Sequence, residues 1–250
     1  MRRIWTRRRF LAVAAACVPG IALAGPAAGR VDPISERPAL RRRVVLGRDA
    51  WGASPITGPT DRHTPVRLTV HHTGSPAGIA AAGPAAMRGH QLFHQRDRGW
   101  VDIAYHFVVG PSGIVYRGRP VGYVGDTATD YDPAGHLLVA CEGNFDSAEL
   151  PPAQRLALSD VLAWAAVAFG IDPGTITGHG DWAATACPGA ALAGVIHNGD
   201  LAAQVRRVIE RGGVRLDVMT GARGKEAVAG LESDGRLPLA GGTWQDRGGD

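Results

Sequence analysis

Two short segments constrain this chain most: Val70-His71-His72-Thr73, and the run from Gly178-His179-Gly180-Asp181-Trp182 to Thr185-Ala186-Cys187-Pro188-Gly189. Two imidazoles and a thiol are donor types of zinc sites, so a fold that uses them together must bring distant parts of the chain to one point. A catalytic zinc takes three protein ligands and keeps its fourth position open, whereas a structural zinc is closed by four. His71, His179 and Cys187 make three with no obvious fourth, which points to the open kind. A single helix cannot supply them, because His179 and Cys187 are eight positions apart among glycines and a proline and no His-Glu-x-x-His motif is present. The rival readings are a closed site with Cys141 as fourth ligand and a Cys141 to Cys187 disulfide.

The start of the chain reads as an export peptide. Thr6-Arg7-Arg8-Arg9-Phe10-Leu11 is a paired-arginine signal, and Ala22-Leu23-Ala24 fits an A-x-A cleavage site, giving a removable segment over residues 1–24. Its apolar stretch is too short and too broken by Pro19 and Gly20 to span a membrane, so no stable membrane insertion is expected. That segment holds five arginines and no acid. Without it the 27 basic residues become 22 against 23 acidic ones, a net charge of −1, and the argument for a nucleic-acid partner goes with the basicity. Cys17 leaves with it, as a poor candidate for lipid attachment, and Cys141 in an apolar run reads as a small buried thiol.

Residues 25–46 are rich in Pro, Arg and Gly without an apolar period and read as a flexible linker, Arg41-Arg42-Arg43 included. Val66 to Val70 alternates as a strand that delivers His71 and His72 at its end. Pro84 to Gln95 reads as a helix, Ile103 to Val109 as a strand, and Pro111-Ser112-Gly113 as the turn into a hairpin partner at Ile114 to Tyr116. His136 to Cys141 is a further strand, Pro152 to Phe169 a long helix ended by Gly170, and Asp200 to Ile209 a last helix. From residue 212 to 250 the Gly-rich, mixed-charge composition predicts a disordered tail. Interleaved strands and helices over residues 47–211 predict one α/β (α+β) domain with a central mixed sheet flanked by helices.

Four stretches in order carry a resemblance: Arg48-Asp49-Ala50-Trp51-Gly52-Ala53, Val70-His71-His72-Thr73, Gly99-Trp100-Val101-Asp102-Ile103-Ala104-Tyr105-His106-Phe107, and Gly178-His179 through Cys187-Pro188-Gly189. Together they resemble the peptidoglycan recognition protein family, whose catalytic members are zinc-dependent N-acetylmuramoyl-L-alanine amidases of the type-2, phage lysozyme-like class. The resemblance covers roughly residues 47 to 210 and implies that fold. It implies His71, His179 and Cys187 as zinc ligands, Tyr105 and Thr185 as catalytic residues, and peptidoglycan as the partner, in the cell wall, the periplasm or outside the cell. His72 and His106 are the candidate substrate-binding residues, with His72 equally able to hydrogen-bond a neighbour. His63, His90, His94, His136 and His197 read as ordinary polar surface.

A thiolate and two neutral imidazoles leave a divalent ion with net positive charge, able to polarise a carbonyl and acidify bound water. The sequence departs from the family pattern at Gly180, where many members have arginine, and at Gly125-Asp126-Thr127, where a Gly-Ala-His element is common. Both departures bear on specificity and neither on a ligand. The alternatives are a recognition module that binds peptidoglycan without cutting it, and a zinc hydrolase of small acylated amides. Non-catalytic members commonly lack the cysteine, and this chain keeps Cys187.

Overall fold

The β-branched and alternating runs become strands of one seven-stranded sheet. The structure, a computed structural model, describes residues 40–74 and 83–233. The export peptide, Cys17, most of the expected linker and residues 234–250 lie outside the described residues. In chain order the elements are β1 (Arg41–Leu46), α1 (Arg48–Trp51), β2 (Arg67–His72), α2 (Pro84–Arg96), β3 (Phe107–Val109), β4 (Val115–Arg117), β5 (His136–Cys141), α3 (Pro152–Phe169), β6 (Thr177–Gly178), α4 (Ala190–His197), α5 (Asp200–Glu210), β7 (Val214–Met219) and α6 (Gly221–Ser233). The strand order is β6-β2-β5-β3-β4-β1-β7, parallel throughout except for the β3–β4 hairpin. This is the expected mixed sheet with helices on both faces.

Side chains alternate across a strand, so each strand feeds two cores. Leu68, Val70, Phe107, Val109, Leu137 and Val139 face one core with α3 and α5, through Leu158, Leu162 and Val205. Tyr105, Val108, Tyr116, Leu138 and Ala140 face the other, with Trp51, Met87 and Val228 from α1, α2 and α6. Two of the four stretches that carry the resemblance brace each other. Both Arg48 guanidinium nitrogens grip Asp102, at 2.8 and 3.1 Å, and Gln91 Nε2 donates to the same carboxylate at 2.6 Å. These partners satisfy the hydrogen-bonding capacity of a fully buried carboxyl group.

Two expectations are corrected. Residues 41–46 are not linker but β1, because their arginines have acids to meet. Arg43 Nε donates to the buried Asp160 of α3 at 2.8 Å, Arg41 reaches the same carboxylate at 3.1 Å, and Arg42 pairs with Asp217 of β7. Nor is the chain disordered from residue 212. β7 pairs in parallel with all six residues of β1, and α6 packs on α1 so closely that a Cβ on Gly224 would sit 2.7 Å from that of Ala50. Val214, Leu216 and Val218 carry the period-2 signal that marks this strand. Among the described residues no helix is long and apolar enough to cross a membrane.

Candidate metal centre

Parallel pairing of β2 with β6 builds the site. Thr69 stands opposite Thr177 and Val70 opposite Gly178, so the next residue of β2 is His71 and the residue that follows the end of β6 is His179. Their ring centroids are 4.6 Å apart and both side chains are buried. Both lie at the carboxyl ends of parallel strands, where α/β sheets gather their ligands.

The chain then returns as a loop that delivers the thiol. Gly180 N–H donates to the Cys187 carbonyl at 2.8 Å, Thr185 Oγ1 accepts the Cys187 N–H at 3.2 Å, and a cis Cys187-Pro188 bond follows. Gly189 has φ +89°, and a Cβ there would lie 2.4 Å from the Phe145 carbonyl carbon, so this exit turn requires glycine. The Cys187 sulfur accepts the His72 N–H at 3.4 Å.

One ligand atom each from His71, His179 and Cys187 lies within 4.8 Å of the others. Cys187 Sγ is 3.6 Å from His71 Nδ1. A tetrahedral zinc with bonds of about 2.3 Å to sulfur and about 2.05 Å to nitrogen separates those two corners by about 3.6 Å, so the donor set fits that ion. Burial and the neighbouring His179 hold the His71 ring well below its ordinary pKa, in the neutral form a metal needs. Cys141 stands apart in the α3-side core, its thiol pushed up by burial, and neither cysteine is in a disulfide.

The other predicted residues divide. Tyr105 shares the cluster, its ring 5.4 Å from that of His71. Thr185 is tied to the ligand loop through Cys187. His72 points to the opposite face from His71, as alternation requires, and its Nδ1 accepts the Phe145 N–H at 3.4 Å. His106 is engaged within the fold at both ring nitrogens. Its Nδ1 accepts the Leu138 N–H and its Nε2 donates to the Tyr123 carbonyl, both at 2.8 Å, and burial lowers its pKa to about 3. His90, His94 and His136 are buried, contrary to the surface reading. His90 pairs with Glu142 at 2.7 Å, His94 Nδ1 accepts the Ala104 N–H, and His136 meets Thr69.

Thr127 and Thr129 are the residues that sequence reasoning passed over. Thr129 Oγ1 lies 2.8 Å from His179 Nε2, across 50 positions of chain. Thr127 sits within the one departure from family pattern that hinted at this loop.

The family model for N-acetylmuramoyl-L-alanine amidases matches residues 61–190, which holds the whole cluster. This chain belongs to the N-acetylmuramoyl-L-alanine amidase family. It is 40% identical over 157 residues to the pig N-acetylmuramoyl-L-alanine amidase, a match covering 60% of this chain but only 26% of that protein. It is 31% identical to bovine peptidoglycan recognition protein 1, covering 61% of this chain and 82% of that one. Among solved structures it is similar to wild-type Drosophila PGRP-LB, with TM-score 0.55 and 29% identity over 62% of this chain and 92% of the other. Peptidoglycan recognition protein-LE in complex with tracheal cytotoxin, a monomeric diaminopimelic acid-type peptidoglycan, aligns with TM-score 0.56 and 26% identity over the same shares. The amidase fold of this chain extends beyond the matched residues through β1, β7 and α6.

Proposed function

We propose that this chain is an exported, zinc-dependent N-acetylmuramoyl-L-alanine amidase that hydrolyses the amide between the lactyl group of muramic acid and L-alanine in peptidoglycan. The observation that carries the reading is the convergence of His71, His179 and Cys187 with a 3.6 Å sulfur-to-nitrogen edge. Retention of Cys187 together with Tyr105 favours hydrolysis over binding alone. Export rests on residues 1–24 and on the peptidoglycan relatives.

His71, His179 and Cys187 would hold the ion, which when bound supplies a Lewis acid for the carbonyl and acidifies water. The rest of the chemistry belongs to side chains. The Tyr105 ring stands beside His71, where its hydroxyl can donate to the oxygen that gains charge as the amide carbon becomes tetrahedral. Thr185 accepts from the Cys187 N–H and has its own O–H left to orient substrate. The departing L-alanine amine takes up the proton that the attacking water gives up, and His106 is not its carrier, because its two nitrogens are engaged and its pKa of about 3 keeps it neutral.

The test is digestion of defined muropeptides by the purified protein. The reading requires stem peptides released with a free L-alanine amino terminus, loss of release on chelation and its return with zinc. Equal turnover by Cys187→Ala overturns it.

A further inference from the structure

A ligand histidine needs more than proximity to a metal. Its second ring nitrogen must be held so that the ring cannot rotate or carry its proton on the wrong atom. The His179 contacts answer this. His179 Nε2 lies 2.8 Å from Thr129 Oγ1 and 3.5 Å from Thr127 Oγ1, and the two threonine hydroxyls are 2.8 Å apart. The Thr129 N–H also donates to Thr127 Oγ1 at 3.2 Å.

Two assignments of protons satisfy these contacts, with His179 Nε2 as donor to Thr129 Oγ1 or as acceptor from it, and only the first leaves Nδ1 a lone pair for a metal. In that assignment the chain of donors starts at the ring. Nε2–H of His179 donates to Thr129 Oγ1, and the Thr129 O–H donates onward to Thr127 Oγ1. A neutral imidazole with its proton on Nε2 carries its lone pair on Nδ1. We infer that Thr129, backed by Thr127, is a positioning residue that locks His179 in the Nε2–H tautomer and aims Nδ1 at the metal. The inference rests on the reading of the cluster as a zinc centre.

A hydroxyl acceptor differs in kind from the carboxylate that often backs a metal-bound histidine. It orients the ring without adding negative charge, and so leaves the net positive charge of the ion and its three ligands undiminished.

The experiment titrates the purified chain with zinc alone, in competition with a chromophoric chelator, and assigns the His179 ring proton by long-range proton–nitrogen NMR on zinc-free protein. Wild type should show the proton on Nε2. Thr129→Val should bind zinc about 10–100-fold more weakly and lose the single tautomer. Thr129→Ser, which restores only the hydroxyl, should recover wild-type affinity. Equal zinc affinity in Thr129→Val overturns the inference, as does a wild-type ring with its proton on Nδ1. A Thr129→Ser variant as weak as Thr129→Val overturns it too, because it assigns the loss to packing. Failure of wild type to bind zinc at all sinks the proposed function instead, and the tautomer of the zinc-free protein still decides this inference.

Discussion

Cys187 Sγ and His71 Nδ1 lie 3.6 Å apart, although 116 positions of chain separate them. That distance matches the sulfur-to-nitrogen edge of a tetrahedron around one zinc ion. The same two atoms should therefore share one ion. Cobalt substituted into the site should show thiolate-to-cobalt charge-transfer absorption. Cys187→Ala should abolish that band, and Cys141→Ala should leave it unchanged. A band that persists without Cys187 contradicts the pairing.

Burial holds His106 neutral, with a pKa of about 3 against an ordinary 6.5. Between those values the unfolded chain binds the proton and the folded chain does not, so this residue's contribution is complete above pH 6.5 and is lost as pH falls toward 3. The slope from this one group approaches about 1.4 kcal/mol per pH unit. Ring NMR at pH 5 should find His106 uncharged, and urea unfolding of His106→Gln should show a flatter pH dependence than wild type. Titration of the ring near 6.5 contradicts the assignment.

The arginines of β1 should not be equivalent. Arg43 meets a fully buried Asp160, whereas Arg42 meets Asp217 at the surface. Breaking a buried pair costs about 3–5 kcal/mol and an exposed one about 0–1 kcal/mol. Since Arg41 still reaches Asp160, Arg43→Ala should cost near 3 kcal/mol in denaturant unfolding, and Arg42→Ala less than about 1 kcal/mol. Equal effects would contradict the role given to Asp160.

Much of this fold is legible in the sequence. β5 and α3 fall where alternation, an apolar run and Gly170 place them, because burial there is uniform and the stop signal is local. β1 is hidden because three arginines look like a solvated segment, and only the distant Asp160 and Asp217 reveal their partners. α6 is hidden because its buried face is mainly Gly224 and Val228, too sparse for a helical stripe. At the site the donor types that the structure brings together are readable in the sequence, whereas only the family resemblance selects His71 over His72. The Thr129 contact is not readable there, since a hydroxyl in a loop carries no periodic or motif signal for a partner 50 residues away.

Ending the chain at Gly212 tests the correction at the carboxyl end. It would strip β7 from the sheet and expose α1, at a cost above about 3 kcal/mol given the apolar burial of Val214 and Val228. Thermal unfolding should show a clear fall in Tm. An unchanged Tm would mean that β7 and α6 add nothing to the domain.

The most direct measurement is a crystal structure of the purified protein with zinc, read by anomalous scattering at the zinc edge. The account predicts one peak per chain, within about 2.0–2.3 Å of His71, His179 and Cys187, with its fourth position facing solvent. A peak at any other place in the chain, or those three donors drawn apart around an empty centre, would contradict it.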